Sequence, residues 1–315
     1  MASVTREDVH KAADRIKSAV RRTPLTIHDF DSAKVAIKWE NRQTGGAFKL
    51  RGASNRLLAL SAEERAKGVV AFSSGNHARG VAIAARRLGM HAAIVMPADA
   101  PKAKMEGTRG EGAEIITYDR LTENREEIAA QLAQERGATL VPSFDDPWIV
   151  AGQGTCGLEI LDQAREMHFQ VKRIIICCGG GGLSSGIALA CPDAEIIIVE
   201  PEGWDDMALS LASGTPQRVR ADPPPTLCDA IQTFKPARLT VDILRERGAK
   251  AVQVSDEAVK DAIRWAHATG EVTEPGGSVA LAAVLSGSVE PKEGDVLLVS
   301  GGNIDPALHA EIVGS

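Results

Sequence analysis

The stretch Val171-Lys172-Arg173-Ile174-Ile175-Ile176-Cys177-Cys178 runs into Gly179-Gly180-Gly181-Gly182 and then into Leu183-Ser184-Ser185-Gly186-Ile187-Ala188-Leu189-Ala190. The first segment is short, apolar and rich in β-branched residues, and reads as a buried strand. The last reads as a helix. The glycines between them carry no Cβ, so the backbone can turn sharply and aim several N–H groups at one point, where the positive end of the helix dipole favours an anion. The junction reads as a phosphate cup, with a purely structural tight turn as the alternative. It is not a dinucleotide fingerprint. From Gly179 or Gly180 the sixth position is Ser184 or Ser185, and from Gly181 the third is Leu183, so G-x-G-x-x-G is met in no register. No Gly-Lys-Ser/Thr follows a glycine loop, which removes a Walker P-loop as well.

The segments on either side follow the same alternation. Gly68-Val69-Val70-Ala71-Phe72, Ala92-Ala93-Ile94-Val95-Met96, Glu114-Ile115-Ile116-Thr117-Tyr118 and Thr139-Leu140-Val141 read as strands. Helical patterns over 78–88, 105–109 and 122–136 separate them. The second block has strands near 173–178, 195–199 and 296–299, with helices over 183–190 and 255–268. At the N-terminus Thr5 is the expected cap of a helix whose apolar face (Val9, Ala12, Ala13, Ile16, Ala19, Val20) continues to Arg22-Thr23-Pro24. Strands alternating with helices imply an α/β fold of parallel sheets flanked by helices. Two such blocks imply two domains with a cleft between them, the usual place for a small-molecule site.

Composition narrows the function. The chain has 315 residues, 44% hydrophobic, with a net charge of -6. There is no Lys/Arg-rich run and only 3% aromatic residues, which argues against a nucleic-acid partner. The N-terminus lacks a basic-then-apolar signal pattern, and no apolar run reaches membrane-spanning length. The five cysteines (156, 177, 178, 191 and 228) form no C-x-x-C pair and read as reduced structural thiols, consistent with the cytoplasm.

Lys49 lies in Glu40-Asn41-Arg42-Gln43-Thr44-Gly45-Gly46-Ala47-Phe48-Lys49-Leu50-Arg51-Gly52-Ala53. A lone lysine reads first as a snorkelling surface cation. A desolvated one has a lowered pKa and can form a Schiff base with an aldehyde, so a lysine together with a phosphate cup suggests pyridoxal 5′-phosphate. Phe72-Ser73-Ser74-Gly75-Asn76-His77-Ala78-Arg79-Gly80 is a second strand–loop–helix junction. Its Ser74 and Asn76 suit either helix capping or a substrate carboxylate and the cofactor 3-oxygen. His77 reads more readily as a packed loop histidine than as a catalyst.

Six ordered motifs now carry a resemblance. They are Glu40 to Ala53, Ser73-Ser74-Gly75-Asn76-His77, Phe144 to Thr155, Gly179 to Leu183, Glu274-Pro275-Gly276-Gly277 and Ser300-Gly301-Gly302-Asn303. From about Arg22 to Asn303 the chain resembles the serine racemase / threonine dehydratase / 3-hydroxyaspartate dehydratase group of fold-type II pyridoxal-phosphate enzymes. The resemblance implies a two-domain, tryptophan synthase β-like fold. Residues 1–67 and 146–315 would form a large cofactor-binding domain, 68–145 a small substrate-side domain, and two chains a homodimer. It implies that Lys49 holds the cofactor and removes the Cα proton, that Phe48 and Asn76 flank the ring, and that Gly179, Gly180, Gly181, Gly182 and Leu183 bind the phosphate. Ser300 would face the pyridine nitrogen. Ser73, Ser74, Asn76 and His77 would line the substrate side, with Ser74 able to protonate Cα from the opposite face. Glu200, the Trp204 main-chain carbonyl and Asp206 resemble a divalent-cation site for Mg²⁺, Mn²⁺ or Ca²⁺, against the plainer reading of an acidic loop. Arg125 resembles an arginine presented to a second substrate carboxylate.

The implied activity is dehydration and deamination of a 3-hydroxy amino acid, with 3-hydroxyaspartate favoured. L-threonine or L-serine dehydration and serine/aspartate-type racemisation are the nearest alternatives; a nucleotide-binding oxidoreductase or a silent metabolite-binding protein are the distant ones. Two positions depart from the group: Cys228-Asp229-Ala230 stands where Ala-Asp-Gly is usual, and Arg79 where glutamine is common. With Ser315 as the last residue, a C-terminal regulatory domain and feedback control by isoleucine are not expected.

Overall fold

A computed structural model of the chain describes residues 4–30, 33–100 and 102–314. In chain order the strands are β1 (Leu25–Phe30), β2 (Ala33–Trp39), β3 (Val69–Phe72), β4 (Ala92–Pro97), β5 (Glu114–Tyr118) and β6 (Thr139–Leu140). They continue with β7 (Arg173–Cys177), β8 (Glu195–Pro201), β9 (Lys250–Val254) and β10 (Asp295–Val299). Two sheets result, one of six strands in the order β1-β2-β10-β7-β8-β9 and one of four in the order β5-β4-β3-β6. Every pairing is parallel except β1 with β2.

The strand that leads into the glycines lies inside the larger sheet. β7 pairs with β10 through Ile174↔Val296 and Ile175↔Leu297, and with β8 through Ile175↔Ile197. A parallel strand covered on both faces has no solvent side, which explains the unbroken apolar run. One cover is the helix Pro275–Leu285, whose residues 275–284 are all buried. The sequence pattern is silent about this helix because an apolar residue on every side leaves no period to read. The expected Thr5 cap is present and forms a reciprocal capping box with Asp8. That helix stops at Ile16 rather than near Arg22, because the chain turns there with the Ala19 and Val20 amides donating to the Ile16 carbonyl.

Helix Lys49–Leu58 is anchored from behind by a buried charge network. Arg51 donates to both Glu40 oxygens (2.7 and 2.8 Å) and to both Glu159 oxygens (2.7 and 2.8 Å). Lys38 donates to Glu159 at 2.7 Å and Gln163 at 2.8 Å, and Thr23 closes the set on Glu40. Side chains of β2, of the turn Glu40–Arg42, of helix Lys49–Leu58 and of helix Pro147–Glu166 are thereby fixed to one another.

Candidate active site

The loops that follow β2, β7 and β10 leave the same, C-terminal edge of the larger sheet. They face the loops that follow β3 and β6 of the smaller one. This is where open α/β sheets bind ligands, because loop ends and helix N-termini converge there. Lys49, at the first position of its helix, reaches across, and its Nζ donates to the Ser143 carbonyl at 3.1 Å. Asn76 Nδ2 reaches the other way, to Glu274 Oε1 at 2.5 Å. Lys104 pairs with Asp229 over the same gap.

One cavity in this gap is lined by Phe48, Lys49, Asn76, Gly179, Gly180, Gly181, Gly182, Leu183 and Ser300, residues that sequence motifs scattered over 250 positions had marked separately. Helix Gly182–Ala190 opens from Gly181, whose φ of +84° is one that a side chain would strain. The backbone N–H groups of Gly179 to Leu183 find no acceptor among the described residues. Aligned donors at a helix N-terminus without protein acceptors are what a phosphate needs. A Cβ at Gly180 would come within 2.2 Å of the Phe144 ring, so the cup has its dimensions only with glycine there.

The electrostatics match a reactive amine. Lys49 faces the cavity, yet the protein around it removes enough water to push its ammonium down to about 8, against weaker opposing effects of Cys177 and Glu274. No carboxylate lies at ion-pair distance from it among the described residues; its nearest neighbours include the Phe48 ring, 5.1 Å from Nζ to centroid. Burial raises the Glu274 carboxyl to about 7, although Asn76 hydrogen-bonds it. Burial also raises the Cys177 thiol to about 11, although Ser300 hydrogen-bonds it. His77 is driven down to about 3 by burial and by the Lys49 charge, and its Nε2 meets the Val141 carbonyl at 2.9 Å. It is a neutral, packed histidine at neutral pH.

Ser73, Ser74, His77 and Arg125 are not among the residues that line this cavity; Ser73 and Ser74 lie in the loop that leads to Asn76, and His77 follows Asn76 and is buried. The Arg125 guanidinium stands 5.7 Å above the Phe72 ring, one residue before Ser73, and it makes no ion pair with Glu126, Glu127 or any other acid among the described residues. Cys177, Phe144, Ala230, Ile231 and Glu274 also line the cavity, although nothing in their local sequence singled them out as site residues. Glu274 and Phe144 were visible only as members of motifs, and Ala230 only as a departure.

Glu200, Trp204 and Asp206 lie at the end of β8, apart from this cavity. Glu200 accepts from the Met207 and Ala208 amides at 2.9 and 3.0 Å. Neither oxygen of the buried Asp206 has a hydrogen-bond partner, and the Trp204 carbonyl accepts none among the described residues. Burial pushes both carboxyls up to about 8, and Glu200 also feels the Asp206 charge. Among the described residues no group of three or more His, Cys, Asp or Glu side chains converges as a metal site. Among the described residues the place offers the two carboxylates and the Trp204 main-chain oxygen, with the charge of Asp205 close enough to be felt by both carboxyls. All five cysteines are buried and unpaired, and among the described residues no helix is long and apolar enough to cross a membrane.

Comparison with known proteins agrees with this geometry. The chain is 41% identical over 316 residues to an L-threo-3-hydroxyaspartate ammonia-lyase of Pseudomonas sp, covering 97% of each chain. It is 38% identical to an L-threonine ammonia-lyase of Thermotoga maritima, covering 98% of this chain and 78% of that one. The solved structure of maize serine racemase superposes with a TM-score of 0.91 at 35% identity, over 98% of this chain and 97% of the other. Residues 16–302 match the family model described as "Pyridoxal-phosphate dependent enzyme". A buried amine, a glycine cup of free N–H donors and a family match over most of its length identify the chain as a member of the pyridoxal-phosphate dependent enzymes, with the fold of the serine racemase and threonine deaminase group.

Proposed function

We propose that the protein is an ammonia-lyase of 3-hydroxyaspartate, releasing iminosuccinate that hydrolyses to oxaloacetate and ammonia. The observation that carries the substrate is Arg125. It sits unpaired over Phe72 at the entrance to the Ser73–Asn76 loop, where a solvated arginine would gain by pairing with Glu126 or Glu127. A guanidinium reads a second carboxylate through two charge-assisted hydrogen bonds, and a methyl group cannot satisfy it.

Bound pyridoxal phosphate supplies the electron sink that acidifies the substrate Cα–H. The chain's residues do the rest. Gly179 to Leu183 would hold the phosphate through their N–H groups, and Phe48 and Asn76 would position the ring. The Ser300 hydroxyl, which lines the cavity, would face the pyridine nitrogen and, unlike a carboxylate, would not force it to carry a proton. Lys49, with its ammonium at about 8, accepts the Cα proton near neutral pH. The proton taken up by Lys49 could then pass to the β-hydroxyl, which would leave as water. Ser73 and Ser74 meet the α-carboxylate. In this reading residues 1–67 and 146–315 form the cofactor-binding domain and 68–145 the substrate-side domain. Glu200, Asp206 and the Trp204 carbonyl hold a divalent cation, supported by the two unpartnered Asp206 oxygens. The enzyme works in the cytoplasm as a homodimer.

Arg125→Ala tests the substrate. It should lower kcat/KM for L-threo-3-hydroxyaspartate at least about tenfold, from the loss of a charged hydrogen-bond pair, and leave a smaller activity on L-serine nearly unchanged. Equal loss on both substrates, or a wild type that prefers threonine, turns the reading to a serine/threonine dehydratase.

A further inference from the structure

Behind Asn76 lies a hydrogen-bond relay that crosses the cleft and has a direction. Arg79 is one turn on from Asn76 on the same face of helix Asn76–Arg87. Its Nη1 donates to Asn303 Oδ1 at 3.1 Å. Asn303 Nδ2 donates to the Gly45 carbonyl at 2.8 Å and to Asn76 Oδ1 at 2.7 Å, and Asn76 Nδ2 donates to Glu274. An asparagine amide can be turned either way, since its oxygen and its nitrogen occupy nearly the same space. Only fixed neighbours decide which end faces where.

The neighbours here are fixed. A guanidinium can only donate, so Asn303 must show it an oxygen; a main-chain carbonyl can only accept, so Asn303 must show Gly45 its nitrogen. The remaining hydrogen of that nitrogen then points at Asn76 Oδ1, and Asn76 is left with its NH₂ turned toward Glu274 and the cavity. Asn303 packs closely on the bare Cα of Gly46, where a Cβ would fall 2.3 Å from Oδ1, so this placement requires glycine there.

We propose that Arg79 is a positioning residue: as the donor-only end of this relay it orients Asn303, and through it Asn76, so that Asn76 presents its NH₂ group to the cofactor. What Arg79 supplies is donor direction. Glutamine can also donate at this position, whereas methionine cannot and glutamate can only accept. The inference rests on Asn76 being a cofactor contact, and the experiment separates the two.

Pyridoxal phosphate affinity, the position of the cofactor absorption band and the split between kcat and KM are measured for Arg79→Gln, Arg79→Met, Arg79→Glu and Asn76→Ala, with the apoprotein Tm recorded for each. Arg79→Met should weaken cofactor binding about fivefold or more and move the band, at unchanged apoprotein Tm. Arg79→Gln should restore both to within about twofold of wild type, and Arg79→Glu should be the most impaired. A methionine variant indistinguishable from wild type overturns the inference, as does a glutamine variant as impaired as the methionine one. If the methionine variant does not fold, equal behaviour of the glutamine and glutamate variants overturns it. If Asn76→Ala moves the band and Arg79→Met does not, only the role of Arg79 falls. If Asn76→Ala changes nothing, the reading of Asn76 falls and takes the relay with it.

Discussion

Lys49 and Arg51 are two residues apart on one helix and have opposite surroundings. Burial disfavours charge on both. At Arg51 the Glu40 charge and hydrogen bonds, helped by Glu159, outweigh that cost and hold the guanidinium well above its ordinary value. At Lys49 nothing comparable answers, and the ammonium falls to about 8. The carboxylates divide in the same way. Glu40 also pays for burial, but Arg51, Lys38 and Thr23 keep it below the usual range, whereas Asp206 has no donor and rises to about 8. A buried charge whose partners are complete is architecture. A buried charge left without them is available for chemistry or for a ligand.

The contrast breaks most sharply by removing each cation. Lys49→Met should reduce turnover to below about one thousandth, because both cofactor attachment and the Cα base are lost. The fold should not suffer. A lysine whose folded pKa is depressed costs stability wherever the unfolded lysine is charged, so that cost is full below about pH 8, shrinks as pH rises and is gone once the unfolded lysine is neutral too. The apoprotein Tm of Lys49→Met should therefore hold or rise at pH 7, and any gain should fade toward pH 10. Arg51→Met should do the reverse, costing about 3–5 kcal/mol by leaving the fully buried Glu40 without its guanidinium, while the partly exposed Glu159 keeps Lys38. Denaturant midpoints on both apoproteins check this; equal destabilisation would erase the distinction.

A smaller effect probes the cup. Gly180→Ala places a methyl carbon where the Phe144 ring lies, so the ring must move and the loop with it. Cofactor affinity should drop about tenfold, with a stability loss of about 1–3 kcal/mol from overpacking. Titration of the apoprotein with pyridoxal phosphate measures the first and thermal unfolding the second.

How much of this was legible in the sequence follows from which forces act locally. The alternating strands are local patterns and stand where they were expected, and the glycine run and Lys49, also local patterns, fall on one cavity. The antiparallel β1–β2 pair was not anticipated, since polar residues break the apolar run in both strands: Thr26, His28 and Asp29 in β1, Lys34 and Lys38 in β2. Helix Pro147–Glu166 escaped because Gly152, Gly154 and Gly157 interrupt its period where it packs closely on its neighbours. The Arg51 network was out of reach as well. It joins residues 23, 38, 40, 51 and 159, and no spacing rule connects positions that meet only when a sheet and two helices have assembled. The same holds for the relay from Arg79, of which the sequence exposed only an unusual residue.

The smallest effect concerns Glu200 and Asp206, and its sign separates a cation site from an acidic loop. Both folded pKa values are raised to about 8, above the unfolded range near 4. Without a cation the folded state binds more protons than the unfolded one between those limits, so stability should be greatest at low pH and fall as pH rises toward 8. A divalent cation binds the ionised carboxylates and opposes that loss, so its stabilising effect should grow over the same interval. Chelator-treated protein should thus lose Tm as pH rises from about 6 to about 8.5, and added Mg²⁺, Mn²⁺ or Ca²⁺ should recover most of the loss at the upper end and little at the lower. Glu200→Gln should flatten the pH dependence and the cation response together. If the pH slope is present but no cation alters it, the two carboxyls are simply protonated in the folded protein and the loop carries no metal.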